Sequence, residues 1–457
     1  MTDNTAAAGR FSVWPYLGIV AAIAGFAFLS NGYADVVLGK LGSLEEAPTA
    51  PALGALLLFA SCSFVSFYTA QNTPLPSFVI ALALGIAGHN FFAPIVANQT
   101  LLATLVTASA AIILFGGGLE MPFKAFLKLS PKIVLLAVPG VILTGFSFSW
   151  ALGQAAGAMG VALGAGVVIL LGAILASTDP AAIIPVLQNL RFKRRDTKDI
   201  VVAESALNDV VGALLTTVFL KIPLAGLSAG AAYMALAKPE TYAFLGRQAG
   251  FGVLMGLGGF VLLHLLAGMK RRHHRTHGAD NIYFLAVPVL AFVAAAAFGG
   301  SGFLAAFIAG LMFHVEEHLR EVEHFFNQII DGLAKPTIFL LVGALVDLHG
   351  LIAYAPIGIA AALVFMFVLR PAMVFLMLGV FGLLPKPAGG LSYQELLFIS
   401  AVRETGAIPA VLLVTVITAG HGTMTGLVEI GMWVILLTLV LAPPLTPWIA
   451  RRLGVAE

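Results

Sequence analysis

Fourteen apolar stretches, most of them 18 residues or longer, succeed one another along this 457-residue chain. They lie near 14–32, 52–70, 76–89, 101–119, 132–154, 162–187, 199–221, 245–267, 281–297, 302–314, 329–346, 355–383, 393–418 and 424–448. Segments of this length match the thickness of a bilayer once tilt and interruption are allowed for. Hydrocarbon offers no hydrogen bonds to a backbone, so uninterrupted apolar runs of this kind are satisfied only as helices. The expectation is an all-α polytopic membrane protein with 13 to 14 transmembrane helices, the short segments 76–89 and 302–314 leaving the count open. With 60% hydrophobic and only 10% charged residues, the chain has too little polar surface for a water-soluble fold of this size.

The charges test that layout by position. Arg10, Lys124, Lys128, Lys132, Arg191, Lys193, Arg194, Arg195, Lys198, Lys270, Arg271, Arg272, Arg275, Arg320, Lys335, Lys386, Arg451 and Arg452 fall on one side of the predicted membrane. Lys40, Lys221, Lys238 and Arg247 fall on the other, giving 18 against 4. The positive-inside rule then puts both termini in the cytoplasm. A net charge of +2 gives no reason to expect nucleic acid as a partner. The single Cys62 excludes an intramolecular disulfide and a cysteine-based metal cluster. The segment 14–32 lacks a strongly basic flank and a clear small-residue cleavage site, and reads as a retained helix rather than a signal peptide. No linker or tail is long enough for a second folding unit. The reading is one transmembrane domain over 1–457, with no soluble C-terminal domain.

Ionisable residues within predicted spans carry the chemistry. A charge at mid-bilayer costs about 2.5–3.5 kcal/mol on insertion scales, so such residues face a cavity or a partner. Asp179, Glu204, Asp209, Arg370 and Arg403 qualify, with Glu120 at the end of its span. In Glu204-Ser205-Ala206-Leu207-Asn208-Asp209, helical spacing sets Glu204 and Asn208 on one stripe and Ser205 and Asp209 on the next. Three or four acids facing two arginines leave at least one acid uncompensated. Burial disfavours the charged form of a carboxylate, which lets protons and cations compete for one position such as Asp209. In Thr178-Asp179-Pro180 the proline removes a backbone donor and frees carbonyl oxygens inside the membrane, which suit alkali ions. A matching interruption is expected at Gly406-Ala407-Ile408-Pro409, and paired interruptions in corresponding halves point to a transporter site on inverted repeats.

The pairing of Ala176-Ser177-Thr178-Asp179-Pro180 with Glu204-Ser205-Ala206-Leu207-Asn208-Asp209 resembles the monovalent cation/proton antiporter superfamily. The closest branch is that of the NhaP-type and animal sodium/proton exchangers, marked by Asn-Asp. The resemblance runs from Gly118-Leu119-Glu120 through Gly302-Phe303-Leu304-Ala305 to Arg403. It implies an NhaA/NhaP-like fold of inverted repeats with two broken crossing helices, so that 14–32 is an extra N-terminal helix and 52–448 holds core and scaffold. It implies Asp209 as the shared proton and cation carrier, with Thr178, Asp179, Ser205 and Glu120 as candidate ion ligands and Asn208 holding the unwound crossing. Glu204 and Arg370 resemble the family's structural salt bridge, and Arg403 its second arginine. The family's arginine is usually followed by Gly, whereas Arg403-Glu404-Thr405-Gly406 inserts two residues here. The function implied is exchange of Na⁺, and of Li⁺ with it, for H⁺, electroneutral because one acid carries both ligands. A K⁺/H⁺ exchanger of the same family is the alternative. A homodimer, an elevator-like motion, a bacterial cytoplasmic (inner) membrane and no cofactor complete the expectation.

Gly299-Gly300-Ser301-Gly302 also matches the G-x-S-G of intramembrane serine proteases. His314 on the same predicted helix is about 18 Å from Ser301 by helical rise, beyond hydrogen-bond reach, and close helix packing explains the glycines better. The basic run Lys270 to Arg275 with His277 reads as a lipid-facing loop rather than a pH sensor. Glu316, Glu317, Glu321 and Glu323, interleaved with His314, His318 and His324, read as a solvated loop.

Overall fold

A computed structural model describes residues 14–43, 49–73, 76–178, 187, 190–273, 279–315, 319–380, 390–420 and 424–457. Asp179, Pro180, His274, Arg275, His277, Glu316, Glu317, His318 and Lys386 lie outside the described residues. Among the described residues the fold is helical, and the one β-type contact is an isolated bridge between Phe192 and Ala456.

Among the described residues, nine helices are long and apolar enough to cross a membrane: Tyr16–Gly42, Ala50–Asn72, Gln99–Leu119, Phe123–Met159, Arg195–Phe219, Pro239–Gly268, Arg320–Leu345, Ala355–Gly379 and Leu427–Arg452. A further pair, Ser77–Ala87 and His89–Val96, is bent by 89° at Gly88. Shorter apolar helices occupy Ala165–Leu175, Ile282–Ala297, Gly302–Met312 and Ala407–Thr418. The protein is therefore integral to a membrane. All the apolar segments expected from sequence contain helix; the short 76–89 is one arm of the pair bent at Gly88, and 302–314 holds the separate short helix Gly302–Met312.

Long helices are tuned by single wide turns. Pro139 sits in a π turn, Leu136–Gly140, where the ladder absorbs its missing N–H. The π turn Phe365–Leu369 adds a residue immediately before Arg370 and so resets the face on which that arginine emerges. Close packing uses glycine. A Cβ on Gly118 would run into the carbonyl oxygen of Phe307, and one on Gly310 into that of Phe115. The helices Gln99–Leu119 and Gly302–Met312 thus touch backbone to backbone, as membrane helices with small residues do.

Two interrupted helices flank the buried Arg195–Phe219 helix. The first, Ala165–Leu175, ends at Ala176, with Ser177 and Thr178 out of helical geometry. The second stops at Ala401, unwinds over 402–406 and resumes as Ala407–Thr418. This corrects the break expected at Gly406 to Pro409. Pro409 lies in the first turn of the resumed helix, where an intrahelical N–H is not required, so it starts the helix rather than breaking it.

Candidate functional site

The site forms where Thr178, at the end of the first interrupted helix, meets one face of Arg195–Phe219. Thr178, Glu204, Ser205 and Asn208 are each at most 1% exposed, and Asp209 is 2% exposed. Gly212 makes the approach possible, since a Cβ there would sit 3.3 Å from Ser177 Cβ and 3.4 Å from the Ala173 carbonyl oxygen. Asn208 Oδ1 accepts from the Thr178 backbone N–H at 3.0 Å, and Asn208 Nδ2 donates to Thr178 Oγ1 at 2.8 Å. Thr178 Oγ1 lies 3.0 Å from Ser205 Oγ, one hydroxyl donating to the other. An interrupted strand of chain is thereby held by side chains from a continuous helix, with hydroxyl oxygens gathered one turn from Asp209.

Asn208 also reaches the other way. Its Nδ2 donates to Glu204 Oε1 at 2.9 Å, an i,i+4 contact of the kind the helical spacing predicts. Glu204 meets Arg370 in a two-pronged ion pair: Nη1 to Oε1 at 2.9 Å and Nη2 to Oε2 at 2.8 Å. Arg370 Nε reaches the Val402 carbonyl oxygen at 3.3 Å, in the unwound stretch of the second interrupted helix. One chain of contacts therefore runs Thr178, Asn208, Glu204, Arg370, Val402, linking both interruptions through the central helix.

Arg403 behaves differently from the expectation of an ion-pair role. Its guanidinium lies over the Phe367 ring, 4.5 Å from the centroid, and it makes no ion pair among the described residues. The two inserted residues account for the change. Glu404 folds back so that its Oε2 accepts from the Arg403 backbone N–H at 2.9 Å, and Thr405 N–H donates to Thr438 Oγ1 at 3.1 Å. Glu404 is fully buried, and its Oε1 has no hydrogen-bond partner.

Glu120 lies at the end of Gln99–Leu119 and is exposed, on a cavity of about 310 Å³ that Asp199, Arg195, Lys198, Leu190 and Phe192 also line. Asp199 precedes Asp209 by ten residues on one helix, roughly 15 Å by helical rise, so this cavity is a mouth rather than part of the buried cluster. At the opposite end of the same helix, a cavity of about 650 Å³ is lined by Gly164, Val167, Phe219, Lys221, Pro223 and Met424. The buried acid lies between the two. Ser301 caps the helix Gly302–Met312 by accepting from Leu304 N–H at 3.2 Å, and His314 lies beyond that helix's end, so the two are not brought together.

Sequence reasoning missed the anchor at the start of the second interrupted helix. Glu395 accepts from Thr197 Oγ1 at 2.7 Å, from the Ser392 N–H at 2.6 Å and from Arg194 Nη1 at 3.1 Å, tying that helix to the start of Arg195–Phe219. The signal was present as Ser392-x-x-Glu395, the capping-box spacing.

A helical bundle in which one helix ends at Ala176 and another unwinds over 402–406, with a buried acid and hydroxyls gathered on the helix between them, defines a polytopic membrane protein with a polar site in its core. The chain belongs to the transmembrane sodium/hydrogen exchanger family, whose pattern matches residues 53–452. It is 27% identical over 405 residues to the K(+)/H(+) antiporter NhaP2 of Shewanella sp. (strain ANA-3), covering 85% of this chain and 64% of that protein. It is 30% identical over 371 residues to the K(+)/H(+) antiporter NhaP of Alkalimonas amylolytica, covering 79% and 59%. The chain thus spans less than two thirds of the length of these relatives. The Na(+)/H(+) antiporter 1 of Methanocaldococcus jannaschii is 29% identical over 266 residues, covering 54% and 55%. Two solved structures of the sodium proton antiporter MjNhaP1 from that organism share the fold. One has a TM-score of 0.66 at 23% identity, covering 88% of this chain and 97% of that one. The other has a TM-score of 0.59 at 20% identity, covering 96% and 99%.

Proposed function

We propose that this protein is a secondary antiporter exchanging a monovalent cation for a proton, with Asp209 binding either ligand in turn. The observation that carries the reading is the burial of Asp209 one helical turn beyond Ser205, whose hydroxyl meets Thr178 at the end of a neighbouring helix, with a cavity toward each end of the helix that carries the acid. A carboxylate and hard oxygen donors suit a desolvated alkali ion, and one carboxylate that must give up its proton to accept the cation couples the two fluxes. Thr178, Ser205 and the adjoining Asp179 supply the remaining oxygens. Asn208 keeps the interruption open, Glu204 with Arg370 fixes the crossing, and Glu120 acts at the mouth.

With a single acid carrying both ligands, exchange is one for one and electroneutral. Alternating access follows from movement of the core holding the two interrupted helices against the surrounding scaffold, within one domain that includes the helix Trp14–Gly42. The cation is Na⁺, with Li⁺ accepted. K⁺ is the second reading, favoured by relatives named K(+)/H(+) antiporters that cover 79–85% of this chain. The charge asymmetry of the loops supports a bacterial inner-membrane protein with both termini cytoplasmic, and family membership supports a homodimer without a cofactor.

The test is pH recovery in proteoliposomes holding a proton gradient, with Na⁺, Li⁺ and K⁺ added separately to wild type and Asp209→Asn. Cation-dependent recovery that the substitution abolishes is expected. Cation-independent recovery, or full activity of Asp209→Asn, overturns the mechanism.

A further inference from the structure

The inserted pair Glu404-Thr405 gives this chain a buried carboxyl that the mechanism above does not use. Arg403 is charged at all accessible pH, is 6% exposed, and finds a ring face rather than a carboxylate as its partner. Its Nε has no hydrogen-bond partner. The one acid in the same unwound stretch is Glu404, held on one side by the Arg403 amide and open on the other. Thr405, tied to Thr438 on the last helix, fixes the stretch so that Glu404 cannot swing out to water.

The surroundings of Glu404 are otherwise sparse in charge. Arg370 faces it from the helix beginning Arg370–Val374 and is already held by Glu204. The packed helices Gln99–Leu119 and Ala165–Leu175 carry no ionisable side chain. Lys335–Leu345 carries only Lys335 at its start, and Leu427–Arg452 carries Glu429, Arg451 and Arg452 at its ends. Arg195–Phe219 brings Asp209, Glu204 already paired to Arg370 and, nearer its start, Arg195, Asp196, Lys198 and Asp199, while Tyr393–Ala401 carries Glu395 in its first turn, held by Thr197, Ser392 and Arg194. The charge of the unwound stretch is therefore set by whether Glu404 holds a proton. Ionised, it offsets Arg403. Protonated, it leaves a net positive charge in the low-dielectric core, against which a cation at Asp209 must bind.

We propose that Glu404 is a second proton-binding group of the exchanger, a positioning residue that sets the cation affinity of the Asp209 site through Arg403 and Arg370 without ligating the ion. This rests on the antiport reading above. Protons then oppose the cation twice, at the carrier and at Glu404, while the proton carried across remains that of Asp209.

The experiment measures the half-saturating cation concentration against pH in proteoliposomes for wild type, Glu404→Gln, Arg403→Gln and Asp209→Asn. The folding of each is checked by thermal unfolding. In wild type the logarithm of that concentration should rise with acidity at a slope above 1, reaching about 1.5 at most where both groups titrate, because a roughly 3–10-fold effect of Glu404 protonation adds no more than about half a unit. Glu404→Gln should lower the slope to about 1 or less and raise the concentration needed at alkaline pH by roughly 3–10-fold, with exchange still free of current. Arg403→Gln, which removes the charge Glu404 answers, should also lower the slope, and it decides the matter if Glu404→Gln fails to fold. Wild-type slopes in the folded variants overturn the role of Glu404 while leaving the antiport reading intact. Active Asp209→Asn, or no cation dependence in wild type, overturns the antiport reading and this inference with it.

Discussion

Asn208 grips Thr178 at two points, accepting from its backbone N–H at 3.0 Å and donating to its hydroxyl at 2.8 Å, so that a side chain completes a backbone which the helix no longer serves. An unpaired amide at this depth costs as much as a lost hydrogen bond, and no water of the bilayer can replace the partner.

Asn208→Ala removes both contacts and the donation to Glu204. It should destabilise the protein by about 2–4 kcal/mol, as expected for several buried hydrogen bonds of which one is to a charge. Thermal unfolding of the purified protein measures this, and an unchanged midpoint would show that the interruption is held by something else.

Glu204 and Arg370 bury a full ion pair, 1% and 6% exposed at their side chains. Arg370→Ala should cost about 3–5 kcal/mol because it strands Glu204 in the core, whereas the paired replacement Glu204→Leu with Arg370→Met should cost less than either single change. A double-mutant cycle on unfolding should return a coupling of about 1–3 kcal/mol. Additive effects would refute the pairing.

Glu395 gathers Thr197, Ser392 and Arg194 at one carboxylate. Glu395→Ala leaves three donors without their acceptor and should loosen the start of Tyr393–Ala401, at a cost of about 2–4 kcal/mol. Faster hydrogen exchange across 393–401, with less change in Arg195–Phe219 beyond its first turns, is the expected signature.

Gly212 faces Ser177 and Ala173 so closely that a Cβ would sit 3.3 Å from the Ser177 Cβ and 3.4 Å from the Ala173 carbonyl oxygen. Gly212→Ala asks its neighbours to give by a few tenths of an ångström and should be tolerated, while Gly212→Leu should cost about 1–3 kcal/mol through overpacking and slow cation exchange. Equal transport rates in both variants would show that this contact does not limit the site.

What could be read from sequence follows from what the bilayer penalises. Apolar runs must be helices there, and Glu204 with Asn208 must share a stripe, so both the helical segments and the 2.9 Å contact between those residues were legible. The bound state of a backbone is harder to read. Pro409 looked like a break because proline excludes an internal N–H, yet a first-turn proline breaks nothing, and the unwinding falls on 402–406, where Gly406 alone is a breaking residue and Val402 to Thr405 carry no such signal. The surroundings of Arg403 are hard to read for a related reason. A guanidinium satisfied by a ring 36 residues away in sequence leaves no local pattern. Glu120 entered as a candidate ligand through the family resemblance, and the cavity wall it shares with Asp199 is a matter of tertiary packing that no local pattern carries.

The bridge between Phe192 and Ala456 has a practical consequence. Backbone bonds from Lys193 N–H to Val455 O at 3.0 Å and from Glu457 N–H to Arg191 O at 3.0 Å clasp the last helix's end to the stretch that leads into Arg195–Phe219. Phe192 also forms part of the wall around Glu120. A spin label at the exposed position 457 is therefore anchored to the rim of that opening, and paired with a second label on Leu127 it becomes a ruler by which the width of that opening can be followed in time.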